Sequence, residues 1–76
     1  MPIDERPRFL TLRRESGFTS EQIAQQAKLA LCDEYRAEIG CVIEPEIATR
    51  ILAAFSTLTG KPWTMQETAI NVRPER

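Results

Sequence analysis

The chain has 76 residues, of which 42% are hydrophobic and 28% are charged, so it is long enough for one small domain and too apolar for wholesale disorder. Its net charge of −1 and pI of about 5.4 are not those of a strongly basic nucleic-acid binder. No apolar run approaches the roughly 18 residues of a membrane span, and there is no signal peptide, which predicts a cytoplasmic protein with no membrane partner.

Residue types that carry metal or catalytic chemistry are scarce in this sequence. Cys32 and Cys41 fit no zinc spacing, and the chain has no histidine to help them, so we expect free thiols and no metal. There is no glycine-rich phosphate loop and no second group to activate either cysteine. The sequence therefore predicts neither an enzyme nor a bound cofactor.

The N-terminal residues predict an arm followed by a helix. Residues 1–6 favour no regular structure, so we expect a flexible arm. Pro7 suits the first turn of a helix, and Gly17 is placed to end it. Apolar contacts from this helix would come from Phe9, Leu10 and Leu12. Positive charge is concentrated here, because residues 1–14 carry a net charge of +2 and residues 15–50 a net charge of −4.

Residues 17–40 indicate two short helices joined by a tight turn. Thr19 and Gln22 form a capping box, in which each side chain satisfies a free backbone N–H of the other residue. The first helix has an apolar face at Ile23, Ala24 and Ala27. The second has one at Leu31 or Cys32, Tyr35 and Ile39, and Gly40 is placed to end it. Helices this short must cross steeply, which predicts a helix-turn-helix.

The C-terminal half predicts one long helix and one short one. The long helix begins at Pro45 and is stopped by Gly60 and Pro62. Its apolar residues recur at helical spacing, at Ile47, Ile51, Leu52, Phe55 and Leu58. Thr64 and Glu67 make a second capping box, which indicates a short turn of helix around Met65–Ala69. A brief extended segment at Ile70–Val72 and a charged tail would follow.

Residues 12–60 resemble the helix-turn-helix domains of the phage repressor and Cro superfamily, often called the XRE family. The matching features are, in chain order, Leu12-Arg13, Gly17, Thr19, Glu21, Ile23-Ala24, Ala27, Leu29, Arg36, Glu38, Gly40 and the Ile47–Leu58 helix. The resemblance implies an all-α fold, a compact bundle of four or five helices. We expect the helix-turn-helix domain to occupy residues 7–70 and a C-terminal tail to occupy residues 71–76. The resemblance also implies a partly buried ion pair between Arg13 and Glu38.

Three positions depart from the pattern of that family. Lys28 replaces the turn glycine and would need a left-handed conformation, and Ala30 opens the second helix of the motif without being able to cap it. Glu34 falls where the family buries a branched apolar residue. Because an unpaired buried carboxylate is costly, this helix must rotate, start elsewhere or leave Glu34 exposed. Tyr35 is expected to turn towards the core in its place.

The resemblance implies a regulator that binds double-stranded DNA, with the second helix of the motif in the major groove. The face offered to DNA would contain Leu31, Cys32, Asp33 and Arg36. Among these, Arg36 is the strong donor for a base edge or a phosphate. Thr19 and Ser20 are expected to grip the DNA backbone, and Arg6 and Arg8 to add non-specific attraction.

A protein-interaction module is the alternative function. The same fold would then dock a protein partner, and Arg36 would pair with Asp33 on its own helix. If Arg13 is engaged by Glu38, little positive charge remains near residues 30–38, and protein binding is then favoured over DNA binding.

A homodimer is a further candidate assembly. Its contact would come from the residues after the long helix, namely Trp63, Met65 and the Ile70–Val72 segment. Trp63 either seals the small core or projects outwards. In the second case we expect a self-complementary contact at Trp63.

Overall fold

The computed structural model describes residues 8–74, which contain five α-helices joined by short loops. They are α1 (Arg8–Ser16), α2 (Ser20–Ala27), α3 (Leu31–Glu38), α4 (Pro45–Thr59) and α5 (Met65–Thr68). The predicted all-α bundle of four to five helices is therefore confirmed. The arm expected at residues 1–6 lies outside the described residues, as does Pro7. None of the helices in residues 8–74 is long and apolar enough to cross a bilayer.

Cap residues mark the start of α2, the start of α5 and the end of α4. At the start of α2, the hydroxyl of Thr19 accepts from the backbone N–H of Gln22, whose side chain accepts from Thr19 N at 2.8 Å. Thr64 and Glu67 form the same reciprocal pair at the start of α5. Gly60 ends α4 with a left-handed φ of 73°, a conformation that glycine adopts without a Cβ clash. Both predicted capping boxes are confirmed.

The core is built around α4, which packs against α2 and α3. Its apolar stripe buries Ile51 and Phe55 completely, and Ile23 of α2 is equally buried. The ring of Phe9 meets that of Phe55 edge-on, with centroids 5.2 Å apart. A core of this size is small, so each of its large side chains carries a sizeable share of the stability.

Trp63 closes this core from the far end of α4. Its ring lies 5.2 Å from that of Phe55, and its Nε1 donates to the hydroxyl of Thr59 at 2.9 Å. The ammonium of Lys61 stands 4.1 Å from the centre of the indole, in a cation–π contact. Trp63 is thus not the outward-pointing side chain that self-association through it requires. Met65 is half-buried against the same core.

Residues 71–73, expected in the tail, are attached to the loop before α4. The N–H of Ile43 donates to the carbonyl of Asn71 at 2.9 Å, and the N–H of Arg73 donates to the carbonyl of Ile43 at 2.8 Å. These bonds form a parallel bridge between Ile43 and Val72. The guanidinium of Arg73 also reaches Glu44, but this exposed pair adds little stability. The folded domain therefore extends past residue 70.

Candidate functional site

A three-residue connection, Lys28 to Ala30, joins α2 to α3. Lys28 has a left-handed backbone, with φ of 60° and ψ of 47°, and its N–H donates to the carbonyl of Gln25. Ala30 has an extended backbone and gives α3 no side-chain cap. Both departures from the family's pattern are accommodated by the backbone, at a cost of about 1 kcal/mol at each position.

The inner side of α3 buries two acidic side chains. Glu34 and Glu38 are both 0% exposed and lie one helical turn apart. The Nε of Arg13 in α1 is 2.9 Å from Oε2 of Glu38, and the hydroxyl of Ser20 in α2 donates to the same oxygen at 2.6 Å. The expected contact between Arg13 and Glu38 is therefore present, and Ser20 adds a bond that the sequence did not predict.

Two contacts hold Arg13 within the fold. Its Nη1 donates to the carbonyl of Phe18 at 3.0 Å, while Nε approaches Glu38. The N–H at Nε does not point at the carboxylate oxygen, so that contact is an ion pair and not a hydrogen bond. Arg13 thereby ties α1 to the loop before α2 and to the end of α3. Its charge is compensated by Glu38.

Glu34 has no cation of its own. If both groups were ionised, both carboxylate oxygens of Glu34 and Oε1 of Glu38 would have no hydrogen-bond partner among the described residues. Burial, together with the hydrogen bond to Glu38 and the charge of Glu38, raises the pKa of Glu34 from 4.5 to about 9, against the opposing effects of Arg13 and Ser20. A pKa in this range favours the neutral form of Glu34 at neutral pH.

From the sequence we expected the second helix of the motif to rotate, to start elsewhere or to leave Glu34 exposed. None of these three alternatives is observed. The helix begins at Leu31, keeps Ala37 and Glu38 inside, and does not expose Glu34. The cost that motivated those alternatives is the cost of burying a charge. A protonated carboxyl is neutral, so the side chain is buried without the cost of burying a charge. The cost that remains at neutral pH is that of keeping the proton.

A neighbouring side of α3 is apolar and open to water. Leu31, Tyr35 and Ile39 follow one another at four-residue intervals and are 45%, 52% and 43% exposed, and Val42 just beyond the helix is 46% exposed. We call these four residues the outer face of α3. The predicted apolar side exists, but it faces solvent. The expectation that Tyr35 turns towards the core is wrong, because Glu34 occupies that direction.

An open groove of about 750 Å³ runs beside the outer face of α3. It is lined by Arg13, Thr19, Ser20, Glu21, Leu31, Cys32 and Tyr35. Four of the residues predicted to contact DNA, Thr19, Ser20, Leu31 and Cys32, therefore lie around one depression, and Arg36 does not line it. Cys32 is exposed there as a free thiol, and Cys41 is a half-buried one. In residues 8–74 no cluster of three acidic, cysteine or histidine side chains could hold a metal ion.

The polar residues predicted to contact DNA already have partners inside the protein. Thr19 caps α2, and the hydroxyl hydrogen of Ser20 is directed at Glu38. Arg36 is exposed, and its Nη2 donates to the carbonyl of Val42 at a long 3.4 Å. The described residues show no ion pair between Arg36 and Asp33. Arg8 donates to a backbone carbonyl of α5, and Arg6 lies outside the described residues.

Sequence reasoning missed the proton-bearing pair inside α3 and the exposure of Ile39 and Val42. The available signal for the pair was a glutamate four residues before Glu38, at a position where a buried side chain was expected. Two carboxyls at that spacing on one buried face must share a proton or find cations. Arg13, the arginine that the family resemblance paired with Glu38, could serve only one of them.

Comparison of the chain with protein-family models, with curated proteins and with solved structures finds no match. The resemblance to the phage repressor and Cro superfamily therefore stays a prediction. Function is inferred from the geometry of α3 and its surroundings.

Proposed function

We propose that this domain binds a protein partner through the outer face of α3. The observation that carries the proposal is the exposure of four large apolar side chains, Leu31, Tyr35, Ile39 and Val42, at one place on the surface. The core is complete without them, because it is filled mostly by residues of α1, α2 and α4, with Ala37 as the contribution of α3. Apolar clusters that a fold leaves in water are typical of protein-binding surfaces.

The spacing of the outer face suits a helix as the partner element. Leu31, Tyr35 and Ile39 lie at intervals of four residues, so they form one ridge of the kind that packs into the groove of a second helix. Tyr35 stands in the middle of the ridge, where an aromatic side chain is the usual energetic centre of an interface. Completing the burial of each half-exposed side chain is worth about 1 kcal/mol.

The charges around the groove also favour a protein. Arg13 is the cation in the groove, and its charge is compensated by Glu38. Glu21 lines the same groove and repels phosphate. A partner that offers an apolar helix does not depend on positive charge at this place, whereas binding to a nucleic-acid backbone does.

Selection from a displayed library of random peptides on the immobilised domain tests the proposal. We expect enriched peptides to be amphipathic, with apolar residues at intervals of three and four. Tyr35→Ser and Ile39→Ser should each weaken binding of a selected peptide about tenfold or more. The control Ala53→Ser changes an exposed residue of α4 and should bind like the parent.

Two results would contradict the proposal. One is a selection in which no peptide is enriched over a blank surface. The other is a selected peptide whose affinity is the same for the parent and for both variants of the outer face. Sedimentation of the domain alone, at rising concentration, separates pairing of two copies from binding of a different protein.

Binding of double-stranded DNA, as in a transcriptional regulator, is a second candidate, and Arg36 is the observation that favours it. The guanidinium of Arg36 is exposed on α3 and makes one long hydrogen bond, so most of its donors are free for a guanine edge or a phosphate. Arg36→Ala should then weaken specific binding by about 1–3 kcal/mol with the fold intact. A variant that binds every tested duplex as well as the parent removes this role.

A further inference from the structure

The inner side of α3 holds a pair of acids that partner binding does not use. Glu34 and Glu38 are both fully buried, one helical turn apart, where α3 meets α1 and α2. Two ionised carboxylates at this spacing repel each other in a medium that screens charge poorly. The arrangement is therefore stable only if one of the two groups is neutral.

The hydrogen-bond donors around the pair are too few for two carboxylates. Ser20 donates a hydrogen bond to Oε2 of Glu38, and Arg13 forms only an ion pair with the same oxygen. This leaves Oε1 of Glu38 and both oxygens of Glu34 without a hydrogen-bond partner among the described residues. Ionised carboxylates are acceptors only, so neither can satisfy the other. A single proton on Glu34 supplies the missing donor, and the bond that it makes to Glu38 uses one of the unsatisfied oxygens.

We propose that Glu34 holds a proton at neutral pH, shared in a hydrogen bond with Glu38, and that this proton keeps α3 seated on α1 and α2. Loss of the proton places a second negative charge in the buried pair and loosens α3. Because α3 also carries the outer face, the proton sets how firmly that face is presented.

The charged groups that face the pair come from few elements. Glu38 is on α3 itself, Arg13 is the cation from α1, and α2 contributes the hydroxyl of Ser20. The charged residues at the start of α4, Glu46 and Arg50, pair with each other at the surface and do not face Glu34. A second negative charge would therefore meet one cation that Glu38 already engages.

The direction of the pH dependence follows from the two states of Glu34. In the unfolded chain its carboxyl titrates near 4.5, whereas in the folded domain burial raises its pKa to about 9. The folded domain therefore holds one more proton than the unfolded chain between these values. Stability from this group is full below about pH 4.5 and is lost as the pH rises towards about 9.

Urea unfolding between about pH 5.5 and about pH 7.5 tests the proposal, because the chain has no histidine to titrate in this window. We expect the unfolding equilibrium constant of the parent to rise about tenfold per pH unit. In Glu34→Gln, whose amide donates without titrating, we expect a change of less than about twofold per unit. The control Glu46→Gln alters an exposed acid and should keep the slope of the parent.

A parent with no slope in this window, or a Glu34→Gln variant that keeps the slope, overturns the proposal. A second measurement does not depend on the variant folding. In the unmodified protein labelled with ¹³C at glutamate side chains, we expect one carboxyl resonance at the protonated position at neutral pH. If every glutamate carboxyl in that spectrum is ionised, the shared proton does not exist.

Discussion

Helices α3 and α4 pack against each other in one small domain, yet they distribute polar and apolar side chains in opposite ways. α4 buries Ile51 and Phe55 and keeps Glu46 and Arg50 in water. α3 buries two carboxyl groups and keeps its largest apolar side chains in water. The usual rule, that the apolar stripe of a helix faces the core, describes α4 and is reversed in α3.

This reversal lowers the stability that α3 contributes to the domain. Burying Glu34 requires that it keep a proton, and exposing Leu31, Tyr35 and Ile39 forgoes the stability that their burial would give. Local choices that work against the stability of a fold are expected at functional sites, whereas α4 shows what the same chain does when only packing matters. That contrast is our reason for proposing that partner binding belongs to α3.

The largest effect is expected from the core side of α4. Phe55→Ala removes a ring that contacts both Phe9 and Trp63, and should lower the free energy of unfolding by about 3–5 kcal/mol in urea denaturation. Thr57→Ala, at an exposed position of the same helix, is the matched control. A loss below about 1 kcal/mol for Phe55→Ala would mean that α4 is not the centre of the core.

Removal of Arg13 is expected to have the next largest effect. Arg13→Ala leaves Glu38 buried without its cation and should lower the free energy of unfolding by about 2–3 kcal/mol, towards the low end for a buried pair because Arg13 is 17% exposed. Arg50→Ala breaks an exposed ion pair and should cost less than about 0.5 kcal/mol. Equal losses in the two variants, measured by urea unfolding, would contradict a special role for the inner side of α3.

Replacing the buried acid Glu34 with an apolar residue should stabilise the domain modestly. Glu34→Leu places a neutral side chain where the structure now requires a proton, and should raise the free energy of unfolding at neutral pH by about 1 kcal/mol. The gain is limited because leucine removes the hydrogen bond that Glu34 makes to Glu38. A loss of stability in thermal and urea unfolding would show that Glu34 packs better than leucine does at this position.

The smallest effect on stability is expected at the outer face. Tyr35→Ser and Ile39→Ser change side chains that are about half exposed, so each should alter the free energy of unfolding by less than about 0.5 kcal/mol. Urea unfolding of these variants beside Phe55→Ala measures the contrast between α3 and α4 directly. Losses above about 1 kcal/mol would mean that the outer face supports the fold and is not reserved for a partner.

The two helices also differ in how much of them the sequence could predict. The bounds of α4 follow from Pro45 and Gly60, and its buried residues follow from their spacing, because local cues and tertiary packing agree there. In α3 the spacing identified which residues share a side, but periodicity alone does not say which side faces the core. A sequence does not show whether a glutamate keeps its proton, and an ionised glutamate belongs on the surface. The sequence therefore predicts that Tyr35, and not Glu34, faces the core.

Other features depended on information that local patterns do not hold. The contact between Arg13 and Glu38 was implied by resemblance to a family and by no periodicity in this chain. The two orientations of Trp63 could be separated only once Phe55 and Thr59 were in place beside it. The bridge between Ile43 and Val72 joins segments that are far apart in the chain, and neither segment has a strong strand pattern.

The central claim is that α3 meets a protein and not a nucleic acid, and a salt-titrated binding measurement tests it most directly. Fluorescence anisotropy of a labelled duplex of mixed sequence would be followed as the domain is added, first at low salt and then at rising salt. We predict that the domain does not bind the duplex at low salt, the condition in which even non-specific DNA-binding proteins bind. Binding that falls steeply with salt and is weakened by Arg36→Ala would contradict the claim.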